Sequence, residues 1–191
     1  INGRDITEAE FALYAGKVRS AAEKLLAEGR IEYRPTFFEQ ITAIALTAFA
    51  EAGIRLAILE TGLGGRLDAT TAARAEIAAI TQIDFDHQEY LGQTLTEIAS
   101  EKAVVVGGQN HEAGTLIRKR LAQLGIEARL GDDVAVEADG SGIRFKTAFE
   151  KYQAGRLGLA GRHQIENAKV AILLAETLQR YFAITSSNIA A

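Results

Sequence analysis

Short apolar-rich runs, each followed by a polar or glycine-rich loop, constrain the fold of this chain most strongly. One run extends from Ile54 to Leu59, a second from Ile77 to Ile83, and a third from Val104 to Val106. Runs of this length and composition are typical of buried strands in a parallel sheet. Because helical patterns separate them, the sequence predicts an α/β fold with a mostly parallel sheet and helices on both faces.

Helix signals frame these runs and indicate where the helices begin and end. Thr7 to Glu10 and Thr36 to Glu39 both carry the capping-box pattern, and Gly29 and Gly53 are suitable stops for the helices that follow. The later expected elements are a short helix from Thr94 to Lys102, a helix from Glu112 to Leu124, a strand from Ile126 to Leu130, a hairpin turning at Asp139 and Gly140 between strands 134–138 and 143–147, and a helix from about His163 to Phe182. The hairpin is a small antiparallel excursion late in the chain.

Charge and composition argue against several classes of protein. The 191 residues carry a net charge of −4 and no long basic run, which argues against a nucleic-acid partner. No apolar run approaches the roughly 20 residues of a membrane span, and the chain has neither a signal-peptide pattern nor a cysteine. We therefore expect a cytoplasmic chain with no membrane segment. It must hold any anionic ligand locally, through a metal ion, a helix N-terminus or backbone N–H groups.

Most candidate functional residues follow the first two apolar runs, because ligands of open α/β sheets bind beyond the carboxyl ends of the strands. Glu60 follows the first run. Its carboxylate suits Mg²⁺ shared with phosphate oxygens, although a solvated charge at a strand end is the commoner case. Asp84, Asp86 and His87 follow the second run. They suit a divalent metal, and they fit a helix entrance equally well.

Several other polar residues leave two interpretations open. Arg66 and Asp68 lie in the glycine-rich loop, where they form either a structural clasp or a binding pair. Lys102, near the end of an expected helix, is more often a helix-dipole partner than a functional group. Gln164 and Asn167 lie one turn apart on the same helix face. Their amides either read the edge of a base or cap the helix.

Four motifs in a fixed order support a more specific interpretation. They are the stretches Glu60 to Thr70, Asp84 to Gly92, Glu101 to Ala103 and Gly161 to Asn167. In this order they resemble the central ATPase domain of the folylpolyglutamate synthase/dihydrofolate synthase family, in the Mur ligase superfamily. The resemblance extends over essentially the whole chain and implies an α/β fold related to the P-loop NTPases.

The resemblance implies an ATP-dependent amide ligase that adds L-glutamate to dihydropteroate, to reduced folates or to both. In that family ATP phosphorylates a carboxylate of the acceptor to an acyl phosphate, and the amine of glutamate then displaces phosphate to form the amide. ATP is a co-substrate, and two Mg²⁺ ions are expected. Metal-bridged phosphates make physical sense because phosphoryl transfer depends mainly on positioning and on neutralising charge.

The resemblance also implies roles for individual metal-binding and nucleotide-binding residues. Glu60 and His87 would be Mg²⁺ ligands. Lys102 would be the lysine that becomes carbamylated, which turns a cation into an oxygen ligand for a second Mg²⁺. His87 and Lys102 are therefore the candidate catalytic residues, and Gln164 and Asn167 would lie near the adenine.

Four further positions match those that line the pterin pocket in members of the family that accept dihydropteroate. They are Thr36, Phe38, Asp68 and Ala69. An aromatic ring suits a flat pterin, and an aspartate accepts hydrogen bonds from its amino groups.

The family's phosphate-binding loop would precede Ile1, and its carboxy-terminal domain would follow residue 191. Residues 1–191 are therefore expected to be a portion of the ATP-binding central domain, inactive alone and monomeric. Two alternatives stay open. One is another Mur-type ligase that acts on a cell-wall nucleotide precursor, and the other is a non-catalytic nucleotide-binding relative.

Overall fold

The computed structural model describes residues 1–62, 68–82, 103–139, 142–155, 157–158 and 161–190. Within it the chain divides into two compact units, residues 1–74 and residues 75–191.

Two α-helices form most of the first unit. Helix α1 spans Glu8–Ala27 and helix α2 spans Phe37–Glu51. The predicted capping boxes are both present, because the side chains of Thr7 and Thr36 accept hydrogen bonds from the backbone N–H three residues later, at 3.2 and 3.3 Å. A glycine with a positive φ follows each helix, as predicted. Local sequence signals therefore predicted both ends of both helices.

The prediction that residues 54–59 form a buried strand is wrong. The segment has no regular secondary structure, and Leu56 and Ile58 are 46% and 89% exposed. A strand is stable only when its N–H and C=O groups bond to a neighbouring strand, and the described part of the first unit contains no strand. The segment leads instead into the glycine-rich loop, which is followed by a 3₁₀ turn at Ala69–Ala73.

Three parallel strands form the first sheet of the second unit. They are β1 (Ile77–Ile80), β2 (Ala103–Val106) and β3 (Ala128–Leu130), which are hydrogen-bonded in that order. Both pairs are parallel, so the predicted parallel sheet is confirmed. Strand β1 ends before the predicted Ile83, which lies outside the described residues.

Helices cover both faces of this sheet, as predicted. Helix α3 (His111–Leu124) packs on the face that carries Val104 and Val106, whereas helix α4 (His163–Leu178) packs on the face that carries Val105. The three valines are at most 3% exposed. Burial on both faces explains why β2 is a continuous apolar run and not an alternating one.

A second, antiparallel sheet belongs to the same unit. Its strands are β4 (Ala135–Asp139), β5 (Gly142–Lys146) and β6 (Lys151–Ala154). The pairing of Asp139 with Gly142 confirms the predicted hairpin, although residues 140 and 141 of its turn lie outside the described residues. Phe145 and Tyr152, 1% and 3% exposed, pack in one cluster with apolar residues of α4. Strand β6 was not predicted.

The remaining predicted elements differ in their ends or are not described. Helix α4 begins where predicted and ends before the predicted Phe182, and a short helix α5 (Ser186–Ala190) follows. The expected helix from Thr94 to Lys102 and the polar loop from Asp84 to Gly92 lie outside the described residues. Among the helices that the structure describes, none is long and apolar enough to cross a membrane.

Candidate functional site

In the first unit, the start of α2 meets the glycine-rich loop through Phe38 and Gly62. A Cβ atom placed on Gly62 would lie 3.2 Å from Cζ of the Phe38 ring, closer than an ordinary van der Waals contact. The ring thus lies against the bare backbone of the glycine, and a side chain at residue 62 would require the ring to shift by a few tenths of an ångström. Phe38 nevertheless remains 41% exposed. Part of its surface therefore stays accessible to solvent.

Asp68 is the buried carboxylate beside this contact, at 2% exposure. Its Oδ2 accepts a hydrogen bond from the Gly62 N–H at 2.7 Å. Its Oδ1 accepts from both the backbone N–H and the hydroxyl of Thr70, at 2.9 and 2.6 Å. The carboxylate therefore joins Gly62 to Thr70 and caps the start of the 3₁₀ turn. Arg66, the other member of the suggested clasp, lies outside the described residues.

Thr36 and Ala69 flank the same region but have different surroundings. The Thr36 hydroxyl donates to Glu39 Oε2 at 2.8 Å, and the Thr36 N–H donates to the same oxygen at 2.6 Å. These bonds, the backbone one first, hold the pKa of Glu39 below its ordinary value. Ala69 is the half-buried first residue of the 3₁₀ turn. The hydroxyl of Thr36 is thus already engaged in capping α2.

Of the predicted metal ligands, only Glu60 belongs to the described residues, and it is exposed. No hydrogen bond or ion pair to another described residue engages its carboxylate, so its oxygens are available to a cation. His87 and Lys102 lie outside the described residues, as do Asp84 and Asp86. Within the ranges that the structure describes, no group of three or more His, Cys, Asp or Glu side chains is placed to hold a metal.

Gln164 and Asn167 occupy the first turns of α4, and the structure brings their side chains together. The Asn167 amide nitrogen donates to Gln164 Oε1 at 3.2 Å, which confirms that they share a face. The N-cap residue, Arg162, makes no side-chain bond to the helix. Gly161 has a φ of +123°, and the ring of His163 packs where a Cβ would be. The glycine is therefore required for this entry into the helix.

Glu166, in the same first turns, is a polar residue that the sequence analysis did not single out. Its Oε1 accepts from Lys169 at 2.8 Å, but its Oε2 is buried and has no partner among the described residues. A Cβ placed on Gly108, just beyond β2, would collide with this oxygen. The carboxylate thus lies at the carboxyl end of the parallel sheet, with one oxygen that accepts no hydrogen bond from any described residue.

A second network that the sequence analysis missed surrounds Glu176, whose side chain is 3% exposed. Arg129 forms an ion pair with it, and the hydroxyls of Thr147 and Tyr152 donate to its Oε1 at 2.6 and 2.7 Å. Burial disfavours the charged carboxylate, but these hydrogen bonds outweigh it and lower the pKa of Glu176. Burial of Tyr152 raises the pKa of its hydroxyl, and the hydrogen bond to Glu176 raises it further. The sequence contained one signal of this network, because Glu176 is a single acidic residue within the apolar face of a predicted helix.

Comparisons with known proteins agree with this architecture. The sequence profile of the Mur ligase middle domain matches residues 7–175. The dihydrofolate synthase/folylpolyglutamate synthase of Bacillus subtilis is 34% identical over 196 residues, covering 94% of this chain and 45% of that protein. A folylpolyglutamate synthase structure from Thermotoga maritima superposes with a TM-score of 0.80 at 25% identity, covering 99% of this chain and 45% of that one.

A solved FPGS–AMPPCP–folate complex is also similar, with a TM-score of 0.72 at 27% identity over 94% of this chain and 47% of that one. The chain spans less than half the length of these three relatives. The profile match nevertheless covers most of the present sequence, and the sheet and helix order of the second unit is that of an α/β domain. The chain belongs to the Mur ligase family, whose middle domain matches residues 7–175.

Proposed function

We propose that this chain is the ATP-binding part of an ATP-dependent amide ligase that adds L-glutamate to dihydropteroate, to a reduced folate or to both. Curated relatives carry both synthase activities in their names, and a similar solved structure holds AMPPCP and folate. We further propose that the protein acts as a monomer in the cytoplasm. Because the chain spans less than half of these relatives, the activity is assigned to the intact protein that contains it.

One observation carries the choice of acceptor: the Phe38 ring and the Asp68 carboxylate converge on Gly62. Thr36 and Ala69, the other two positions of the proposed pterin pocket, belong to the same unit. An exposed aromatic ring beside the glycine-rich loop suits a flat, polar heterocycle. A ligase for cell-wall nucleotide precursors needs no such ring, so the pterin acceptor is favoured.

The phosphate-binding residues are proposed on a different basis. Glu60 is an exposed carboxylate without a partner in the described residues, and hard oxygen donors of this type fit Mg²⁺. We assign His87 and a carbamylated Lys102 to the remaining metal positions, and Gln164 and Asn167 to the adenine. Bound Mg²⁺ would neutralise charge on the phosphates. The paired amides of Gln164 and Asn167 offer both donors and acceptors to a base edge.

The proposed reaction has two balanced steps. A carboxylate oxygen of the acceptor attacks the γ-phosphorus of ATP, the bond to the β-phosphate oxygen breaks, and ADP leaves. The amine nitrogen of glutamate then attacks the acyl carbon and loses a proton, while the bond from this carbon to the phosphate oxygen breaks. The chain's residues contribute by binding and orienting the two substrates, which is the main requirement of such transfers.

Acceptor-dependent phosphate release by the intact protein tests this function. With ATP, Mg²⁺ and glutamate present, we expect release only when dihydropteroate or a reduced folate is added. Release with both acceptors indicates a bifunctional enzyme. Release with neither, when a cell-wall nucleotide precursor does support turnover, contradicts the proposal and identifies a different Mur-type ligase.

The Glu60→Gln variant tests the metal assignment in the same assay. Loss of a metal ligand is expected to lower kcat/KM at least about a hundredfold at saturating Mg²⁺. The Glu23→Gln variant is the matched control, because Glu23 is an exposed residue of α1. Equal activity of the Glu60→Gln variant and this control would remove Glu60 from the proposed site.

A further inference from the structure

The first turns of α4 lie against the carboxyl end of β2, where the chain has two glycines in succession. A Cβ on Gly107 would lie 3.0 Å from Cγ2 of Val170, and a Cβ on Gly108 would collide with Oε2 of Glu166. A side chain at either position would therefore push a side chain of α4 away from the sheet. The glycines allow the helix to approach the end of β2 closely.

Glu166 is the polar group in this contact. Its side chain is 31% exposed, yet its Oε2 is buried and accepts no hydrogen bond from any described residue. Its Oε1 accepts from Lys169 at 2.8 Å, and the lysine side chain is only 13% exposed. A buried acceptor without a donor is unfavourable. Hydrogen bonding by Oε2 within the described residues therefore does not explain the position of the carboxylate, whereas its contact with Gly108 does.

Capping does not fix the start of α4, because the side chain of Arg162 at the N-cap makes no bond to the helix. The two residues assigned to the adenine, Gln164 and Asn167, flank Glu166 in the same turns and are partly or fully exposed. Neighbouring residues of a helix move together, since backbone hydrogen bonds join each turn to the next. A displacement of Glu166 from the sheet therefore displaces both amides.

We propose that Glu166 is a positioning residue for the nucleotide base, which acts by seating the first turns of α4 against Gly108. Gln164 and Asn167 contact the base, while Gly108 leaves room for the carboxylate. Lys169 holds the carboxylate in that position. The inference rests on the proposed function in one respect, which is the assignment of the two amides to the adenine.

The Gly108→Ala variant of the intact protein tests the contact from the side of the sheet. Gly108 is not among the residues with a positive φ, so the added methyl group displaces the end of the Glu166 side chain without straining the backbone. We expect the dissociation constant for ATP with Mg²⁺ to rise about fivefold, measured by titration calorimetry. The control is Gly155→Ala, because Gly155 is exposed and nothing lies within 4 Å of the added atom.

A double-mutant cycle tests whether Gly108 acts through Glu166. Glu166→Ala removes the carboxylate and should also weaken ATP binding about fivefold. In the Gly108→Ala/Glu166→Ala double variant the new methyl group meets no carboxylate, so ATP should bind no more weakly than in Glu166→Ala alone. Losses that multiply would overturn the inference, because independent effects contribute additive free energies.

Two further ligands distinguish positioning of the base from general damage to the site. Tripolyphosphate with Mg²⁺ has no base, so its dissociation constant should stay the same in every variant. Inosine triphosphate lacks the amino group of adenine, and the preference for ATP over this nucleotide should fall when the two amides are displaced. Equal losses for ATP and tripolyphosphate, or an unchanged preference between the two nucleotides, would overturn the positioning role.

The conservative variant Glu166→Gln distinguishes an indirect role from direct contact with the nucleotide. It keeps the size of the side chain and an oxygen for Lys169, so it should recover most of the ATP affinity that is lost in Glu166→Ala. A loss in Glu166→Gln as large as that in Glu166→Ala would show that the carboxylate itself binds the nucleotide, which would contradict the inference.

Failure of the proposed function gives a different result. An unsubstituted protein that binds ATP but adds glutamate to no acceptor overturns the function, and the same cycle still decides the role of Glu166. An unsubstituted protein that does not bind ATP overturns both. Unchanged ATP binding in Gly108→Ala and Glu166→Ala overturns the positioning role alone.

Discussion

The two units of the chain bury their apolar side chains to very different extents. Among the described residues, the first unit has only Ile44 and Ala48 as buried apolar residues, whereas the second has twelve, including Val105 and Phe145. The exposed large apolar side chains show the opposite distribution, with eight in the first unit and three in the second. Well-formed helices in this protein therefore do not require a buried apolar core in the same unit.

The difference shows what local sequence signals do and do not specify. Helix α1 has complete capping at its start but no buried residue along its length. Helix α4 has no side-chain cap from its N-cap residue, yet Val170, Ile172 and Leu173 are buried. Capping specifies where a helix begins, whereas burial of an apolar face supplies most of its stability within a protein.

The largest contrast is expected between two phenylalanines. Phe145→Ala in β5 should lower the free energy of unfolding of the second unit by about 3 to 5 kcal/mol, because the ring is 1% exposed. Phe37→Ala in α2 should change stability by less than about 0.5 kcal/mol, because that ring is 79% exposed. Urea unfolding monitored by amide hydrogen exchange in each unit measures both. Equal losses would contradict the comparison.

The next effect concerns the buried ion pair of the second unit. Glu176→Gln should cost about 2 to 3 kcal/mol, somewhat less than the usual cost of breaking a buried pair, because Arg129 keeps 26% of its side chain exposed. The control is Glu137→Gln, which breaks an exposed pair with Arg144 and should cost less than about 1 kcal/mol. A result in which both variants unfold at the same urea concentration would show that the Glu176 network stabilises nothing.

The pH dependence of this network has a definite sign. The pKa of Glu176 is lowered in the folded state, so the unfolded state binds the proton more readily. Its contribution is complete above the ordinary pKa of about 4.5 and is lost as the pH falls through the folded value. Between pH 6 and pH 3, the free energy of unfolding of the second unit should therefore change less with pH in Glu176→Gln than in the unsubstituted protein. An equal change in both proteins would assign the acid sensitivity to other groups.

A smaller effect is expected at the cap of α1. Thr7→Ala removes the side-chain oxygen that accepts from the backbone N–H of Glu10 and should destabilise the helix by about 1 kcal/mol. Thr7→Ser keeps this oxygen and serves as the control. Hydrogen exchange of amides in the first turns of α1 measures the change. Identical protection in both variants would show that the capping box does not limit the stability of this helix.

The smallest effect is expected in the segment that the sequence analysis assigned to a buried strand. Ile58→Ser should leave the stability of the first unit within about 0.5 kcal/mol of its original value, because Ile58 is 89% exposed. The measurement is the urea midpoint of this unit. A loss of several kcal/mol would show that Ile58 is buried in solution, as the sequence pattern predicted.

Features that depend on neighbouring residues were predictable from the sequence. The capping boxes at Thr7 and Thr36 and the hairpin at Asp139 are specified within a few residues, and each is present. The buried strand at Val104 to Val106 was also predictable, since an unbroken apolar run suits a strand covered on both faces. The run at residues 54–59 looked similar but has no partner strand in the described part of its unit.

The candidate site was predictable as a set of residues but not as a set of contacts. The family resemblance pointed to Phe38 and Asp68, and the structure brings both to Gly62. The hydrogen bond from the Gly62 N–H to Asp68 could not be predicted, because it depends on how residues six positions apart approach each other. The ion pair of Arg129 with Glu176 joins residues 47 positions apart, and no local pattern specifies such a pair.

Transfer of an oxygen isotope from the acceptor to phosphate tests the central claim most directly. The intact protein is incubated with ATP, Mg²⁺, glutamate and an acceptor labelled with ¹⁸O in the carboxylate that becomes the amide. An acyl phosphate intermediate predicts one ¹⁸O atom in each released phosphate, because the leaving phosphate retains an oxygen of that carboxylate. Amide product accompanied by unlabelled phosphate would contradict the proposed reaction.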